Sequence, residues 1–180
     1  MVDYQISEHF SLNDLTKTSQ PFDNTPNVFA EQNLKSLAAL LERIYSQIGP
    51  FVVTSGYRSS AVNDAVGGAE GSYHLQGMAA DIKPLYESAD SFFFKIVRSP
   101  IFSDVGELIN EAAEQGVVHV SLPTAAKRSQ AMYLMGGRSY RYTEDQLNAP
   151  TPQGGQLPMA TIFTVVGAIL LALILRMGKK

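Results

Sequence analysis

The stretch from about Ala30 to Gln47 sets the terms for what this chain can fold into. Leu34, Leu37, Ala38, Leu41 and Ile44 recur there at helical spacing, so one stripe must face a core. Gly49-Pro50 ends the helix. The rest is shorter and less regular. FVVTS at 51–55 is a β-branched, apolar run that reads as a buried strand. Ser59 to Val66 suits one or two helical turns, stopped by Gly67-Gly68. Ala79 to Ile82 opens another strand, and Ser88 is placed to cap a helix to about Arg98, with Phe93, Ile96 and Val97 inward. Short strands are expected at Gly106–Asn110 and Val117–Leu122, although GELINEAAEQG reads equally well as helix. Ala131–Leu134 and Tyr140–Tyr142 suggest a hairpin around Gly136-Gly137. Helices and strands do not alternate regularly. The expected fold class is therefore α+β, a small, mainly antiparallel sheet with flanking helices.

The C-terminal end adds a second expectation. Met159 to Leu175 is apolar except for Thr161 and Thr164, and its length corresponds to roughly 25 Å of helix, the lower edge of a membrane span. A Pro/Gly/Gln stretch, APTPQGGQLP, separates it from everything before it, which argues against a buried core helix. The expected layout is a domain over 1–148, a linker over 149–158, a transmembrane helix over 159–175 and a basic tail over 176–180. Arg176, Lys179 and Lys180 follow the apolar run, so the domain is expected on the opposite side of the bilayer. The first residues carry an early Asp and no basic or apolar run, so no secretory signal peptide is expected.

Composition limits the chemistry. The 180-residue chain has a net charge of −3, which gives no nucleic-acid footprint. It has no cysteine, so a transition-metal site must use His, Asp or Glu, and the only histidines are His9, His74 and His119. His74 and Asp81 are nitrogen and oxygen ligands of kinds that suit zinc. Asp81 shares a strand face with Ala79, and small residues at Gly77 and Ala79 would leave that face open. In VVHVSL, Val118 and Val120 would pack inward and leave His119 on the opposite face. Two histidines and one carboxylate leave a coordination position for water, as a catalytic zinc requires. Spacing alone also allows a core histidine and a capping aspartate.

The segment Ser55 to Ile82 resembles the zinc D-alanyl-D-alanine peptidases, whose fold is shared with the Hedgehog signalling domain. The pattern Ser-x-His-x-x-Gly-x-Ala-x-Asp stands at Ser72, His74, Gly77, Ala79 and Asp81. Ser-Gly-Tyr-Arg-Ser occupies Ser55 to Ser59, followed by Asn63, Gly67 and Gly68. Asp-Asn-Thr-Pro, frequent in small phage-type members, stands at Asp23 to Pro26, and His-Val-Ser at His119 to Ser121. The resemblance covers roughly residues 5–135. It implies Zn2+ on His74, Asp81 and His119, and hydrolysis beside D-alanine in peptidoglycan stem peptides or cross-links. The family's Asp-Gln-Leu-Ile-x-Glu strand maps to Gly106–Glu111, making Glu111 the implied general base, with Glu114 as competitor. Arg58 would grip a substrate carboxylate or steady the oxyanion, and Tyr57 and Ser72 would shape the pocket. Val117 stands where the family often has Trp or His. That departure keeps open a non-catalytic, zinc-containing structural or wall-binding module. With the C-terminal helix, the implied setting is a single-pass protein of a bacterial envelope or virion membrane, serving phage infection, lysis or wall remodelling.

Overall fold

A computed structural model describes residues 3–149. The chain divides into a unit spanning Met1–Tyr142 and a second beginning at Thr143. The expected long helix is α1, Val28–Gln47. It starts two residues before the expected Ala30 because Asn27 caps it, its side chain accepting from the Ala30 N–H. β1 (Phe51–Ser55), α2 (Ser60–Ala65), β2 (Ala79–Pro84) and α3 (Ala89–Val97) follow, with a 3-10 turn at Tyr73–Gln76. Ser88 caps α3 as the sequence suggests. A second 3-10 turn, Pro100–Asp104, leads to β3 (Glu107–Asn110), β4 (Val118–Ser121), β5 (Gln130–Met135) and β6 (Arg138–Arg141). The ambiguous GELINEAAEQG thus divides into strand and turn. In the second unit, α4 (Glu144–Asn148) is closed at its start by a Thr143/Gln146 capping box.

All six strands form one sheet in the order β1-β2-β4-β3-β5-β6. It is larger than expected and is mixed. β3 pairs with β5 in parallel, and the other pairings are antiparallel. The parallel pair arises because residues 122–129 cross from β4 back to the far side of β3. Leu108, Val118, Val120 and Ile82 are fully buried on one face of the sheet. Phe92, Phe93 and Ile96 of α3 and the Leu34–Ile44 stripe of α1 are likewise buried. Phe51 stacks on Phe10 and meets Phe92 edge-on.

Two expectations require correction. Among the described residues no helix is long and apolar enough to cross a membrane. α1 has the length, 20 residues, but carries Glu31, Lys35, Glu42 and Arg43 on its outer side. The span expected over 159–175 lies outside the described residues, and the single-pass membrane placement and bilayer partner that rested on it are withdrawn. Gly77 and Ala79 are also small for a different reason than open space at Asp81. Ala79 is fully buried. Gly77 has φ +68° and passes so close to α1 that a Cβ would sit 2.5 Å from the Ala30 carbonyl oxygen.

Candidate metal centre

Strand register assembles the centre. Asp81 lies opposite His119 across β2 and β4, Ile109 of β3 lies opposite His119, and Ser55 of β1 pairs with Asp81 across a bulge. Directly opposed residues share a sheet face. Asp81 and His119 therefore emerge together on the face away from Val118 and Val120. His74 arrives from the 3-10 turn. Ser72 caps that turn by accepting the His74 N–H, and Gly77 closes it. The sequence-derived His74, Asp81 and His119 do meet, and all are buried. The third histidine, His9, is engaged elsewhere, paired with Glu42 and stacked on Tyr45.

The donor atoms form a tight triangle. His74 Nε2 is 3.2 Å from His119 Nδ1 and 3.3 Å from Asp81 Oδ1, and His119 Nδ1 is 2.9 Å from Asp81 Oδ1. Tetrahedral zinc with bonds of about 2.0–2.1 Å separates its donors by about 3.3 Å. The triangle thus fits three ligands of one such ion. Outer contacts orient the donors. His74 Nδ1 lies 2.7 Å from the Gly56 carbonyl, to which it donates, leaving the Nε2 lone pair facing the triangle. Arg58 donates from Nη2 to Asp81 Oδ2 at 2.6 Å and from Nε to Ser55 Oγ at 2.8 Å. Oδ1 is thereby left for the histidines.

Electrostatics favour the ligating form of two of the three donors, His74 and Asp81. Burial pushes the His74 imidazole pKa down, outweighing the attraction of Asp81 for its charged form. Burial would raise the Asp81 carboxyl, but the His74 charge and hydrogen bonds from His119 and His74 outweigh it. The carboxyl is held well below the usual carboxylate range. Burial opposes charge on His119 too, yet its hydrogen bond and attraction to Asp81 raise its pKa in the metal-free chain.

Glu111 follows β3 directly, its N–H bonded to the Val117 carbonyl. Two residues on from Ile109, it continues the row that faces His119. It is half-buried, and burial followed by the Asp81 charge raises its pKa. Glu114 is exposed on the turn beyond. A cleft of about 390 Å³ adjoins Asp81, with Tyr57, Arg58 and Val117 in its walls. Sequence reasoning missed Asn24. Its buried amide donates to the Thr16 and Tyr57 carbonyls while its oxygen accepts the Ser59 N–H. That one side chain fixes the Tyr57–Ser59 segment bearing Arg58. Its place in the Asp23–Pro26 element was the available signal.

A buried two-histidine, one-carboxylate triangle, with a half-buried glutamate beside it and a cleft against it, defines the centre of a metal-dependent hydrolase. The family profile described as Peptidase M15 matches residues 8–121. The chain belongs to this family of zinc peptidases, and Zn2+ is the metal its donor set fits. No curated protein matches the chain.

Proposed function

We propose that this peptidase hydrolyses the peptide bond next to D-alanine in peptidoglycan stem peptides or cross-links, in wall remodelling or in phage infection or lysis. The observation that carries the reading is the His74–Asp81–His119 triangle with Glu111 on the same sheet face. His74 Nε2, His119 Nδ1 and Asp81 Oδ1 would hold the metal. When bound, zinc supplies a Lewis acid that polarises the scissile carbonyl and lowers the pKa of a water to about 7. Glu111 is the general base. Its half-buried carboxylate accepts the proton of the attacking water and returns it to the leaving amine. The raised pKa of Glu111 makes it a stronger proton acceptor than an exposed carboxylate.

Arg58 has two tasks in this reading. Its Nε and Nη2 fix Ser55 and Asp81, and Nη1 is left for a substrate oxygen in the cleft. Tyr57 forms the adjoining wall, and Ser72 acts by shaping the His74 turn beside the substrate. The peptidase domain is proposed to end by residue 148, with 149–158 as the linker. The non-catalytic alternative draws on Val117, which is buried at the cleft wall and brings no proton donor. The placement of Glu111 beside the triangle favours hydrolysis. The test is digestion of purified peptidoglycan with the zinc-loaded full chain and mass analysis of the products. New ends at D-alanine bonds are expected. Uncut wall material in the presence of bound zinc would overturn hydrolysis.

A further inference from the structure

The cleft beside Asp81 has an unusual charge for an acidic protein. Lys17, Arg58 and Lys83 line it, and Asp81 is the one acid among its lining residues. Asp81 is already committed to Arg58 and the two histidines. Lys17 is held only loosely, 3.5 Å from Asp14 and about half exposed. Lys83 stands two residues beyond Asp81 on β2, opposite Val52 of the edge strand β1. Alternate strand residues share a face about 6.6 Å apart along the chain, so Lys83 extends the row that begins at the metal ligand. Its side chain is exposed to the cleft. Excess positive charge in a concave wall draws anions and sets which ligands enter.

We propose that Lys83, assisted by Lys17, is the specificity-determining site for a free carboxylate on the peptide substrate, bound in the cleft over β2 within about two residues of the scissile bond. The inference rests on the peptidase reading and narrows its substrate class to anionic peptides. Two parts of a stem peptide carry this chemistry, the C-terminal carboxylate and the branch carboxylate of a γ-linked D-glutamate. Capture of the first makes the enzyme a carboxypeptidase, and capture of the second leaves endopeptidase action open.

The test uses the zinc-loaded full chain carrying Glu111→Gln to prevent turnover. Calorimetry measures binding of L-Ala-γ-D-Glu-L-Lys-D-Ala-D-Ala, its C-terminal amide and its D-Glu amide. One amide should bind about three- to fivefold more weakly than the free acid, the scale of one exposed ion pair. Adding Lys83→Met should weaken the free acid by the same factor and leave that amide unaffected. Adding Lys17→Met as well should deepen the loss, and raised salt should shrink it. Equal weakening of all three peptides by Lys83→Met, or no weakening of any, overturns the assignment. If none of the peptides binds while zinc stays in place, the peptidoglycan reading falls, and this inference falls with it.

Discussion

Replacing His119 by alanine should remove almost all zinc-dependent stabilisation. His119 Nδ1 touches both other donors, at 2.9 and 3.2 Å, so its loss opens one corner of the triangle and leaves only His74 Nε2 and Asp81 Oδ1. For the wild-type chain, free zinc at 100 times its Kd stabilises the folded state by about 2.7 kcal/mol. Unfolding entropy near 2.1 cal/mol/K per residue gives a unit the size of Met1–Tyr142 about 0.3 kcal/mol/K, so the Tm should rise by about 9 °C. An outer partner of a metal ligand is worth up to about 100-fold in affinity, and a direct ligand should be worth at least that. In His119→Ala the same zinc concentration then sits no higher than the new Kd. Stabilisation falls to about 0.4 kcal/mol, or about 1 °C. Scanning calorimetry in chelator-buffered zinc, with metal analysis of the dialysed protein, reads both quantities. A His119→Ala protein that keeps one zinc per chain and a shift near 9 °C would refute the donor set.

Glu111→Gln should keep the full zinc-induced shift yet lose about 10²–10⁴-fold in turnover; wild-type cleavage by it together with a dead Glu114→Gln would move the base to Glu114. Zinc affinity should fall as pH drops from about 7.5 to 5.5, because His119, whose pKa is raised by its contact with Asp81, must shed a proton to donate, whereas burial already disfavours a proton on His74; titration against a competing chelator checks this, and a pH-independent affinity would argue against ligation by His119. Asn24→Ala should cost about 2–4 kcal/mol in urea unfolding, since it strands the Thr16 and Tyr57 carbonyls and the Ser59 N–H. A loss below about 0.5 kcal/mol would show that water replaces the clamp.

The parts legible in the sequence are those governed by local chemistry. The α1 stripe, the short helix after Ser59, the Ser88 cap and the Gly136-Gly137 hairpin follow from periodicity and turn or capping chemistry near in sequence. His119 was placed on the face opposite Val118 and Val120 by strand alternation alone, and it lies there. The parallel β3–β5 pairing was not legible, because nothing local in residues 122–129 dictates which edge the chain returns to. The Arg58–Asp81 contact was equally hidden. An arginine in a turn reads as solvated, or through the resemblance as a substrate group, and only the fold brings it across 23 positions to the carboxylate. The role of Gly77 was misread because smallness can serve a cavity or a close approach, and only the position of α1 decides between them.

The wide separation of the three donors has a kinetic consequence. His74 and Asp81 lie seven positions apart, but His119 lies 38 beyond Asp81 and joins them only once β2 and β4 pair in register. A slip of one residue would turn His119 toward the apolar interior and bring Val118 or Val120 to the triangle. Metal capture therefore cannot nucleate this sheet in the way that neighbouring ligands organise a small metal-dependent module. The chain must first reach a nearly native metal-free state, stable enough to wait for its ion. Uptake of a coloured substitute such as cobalt should then follow strand pairing as a late, separately timed event, and its absorption would serve as a clock for correct register.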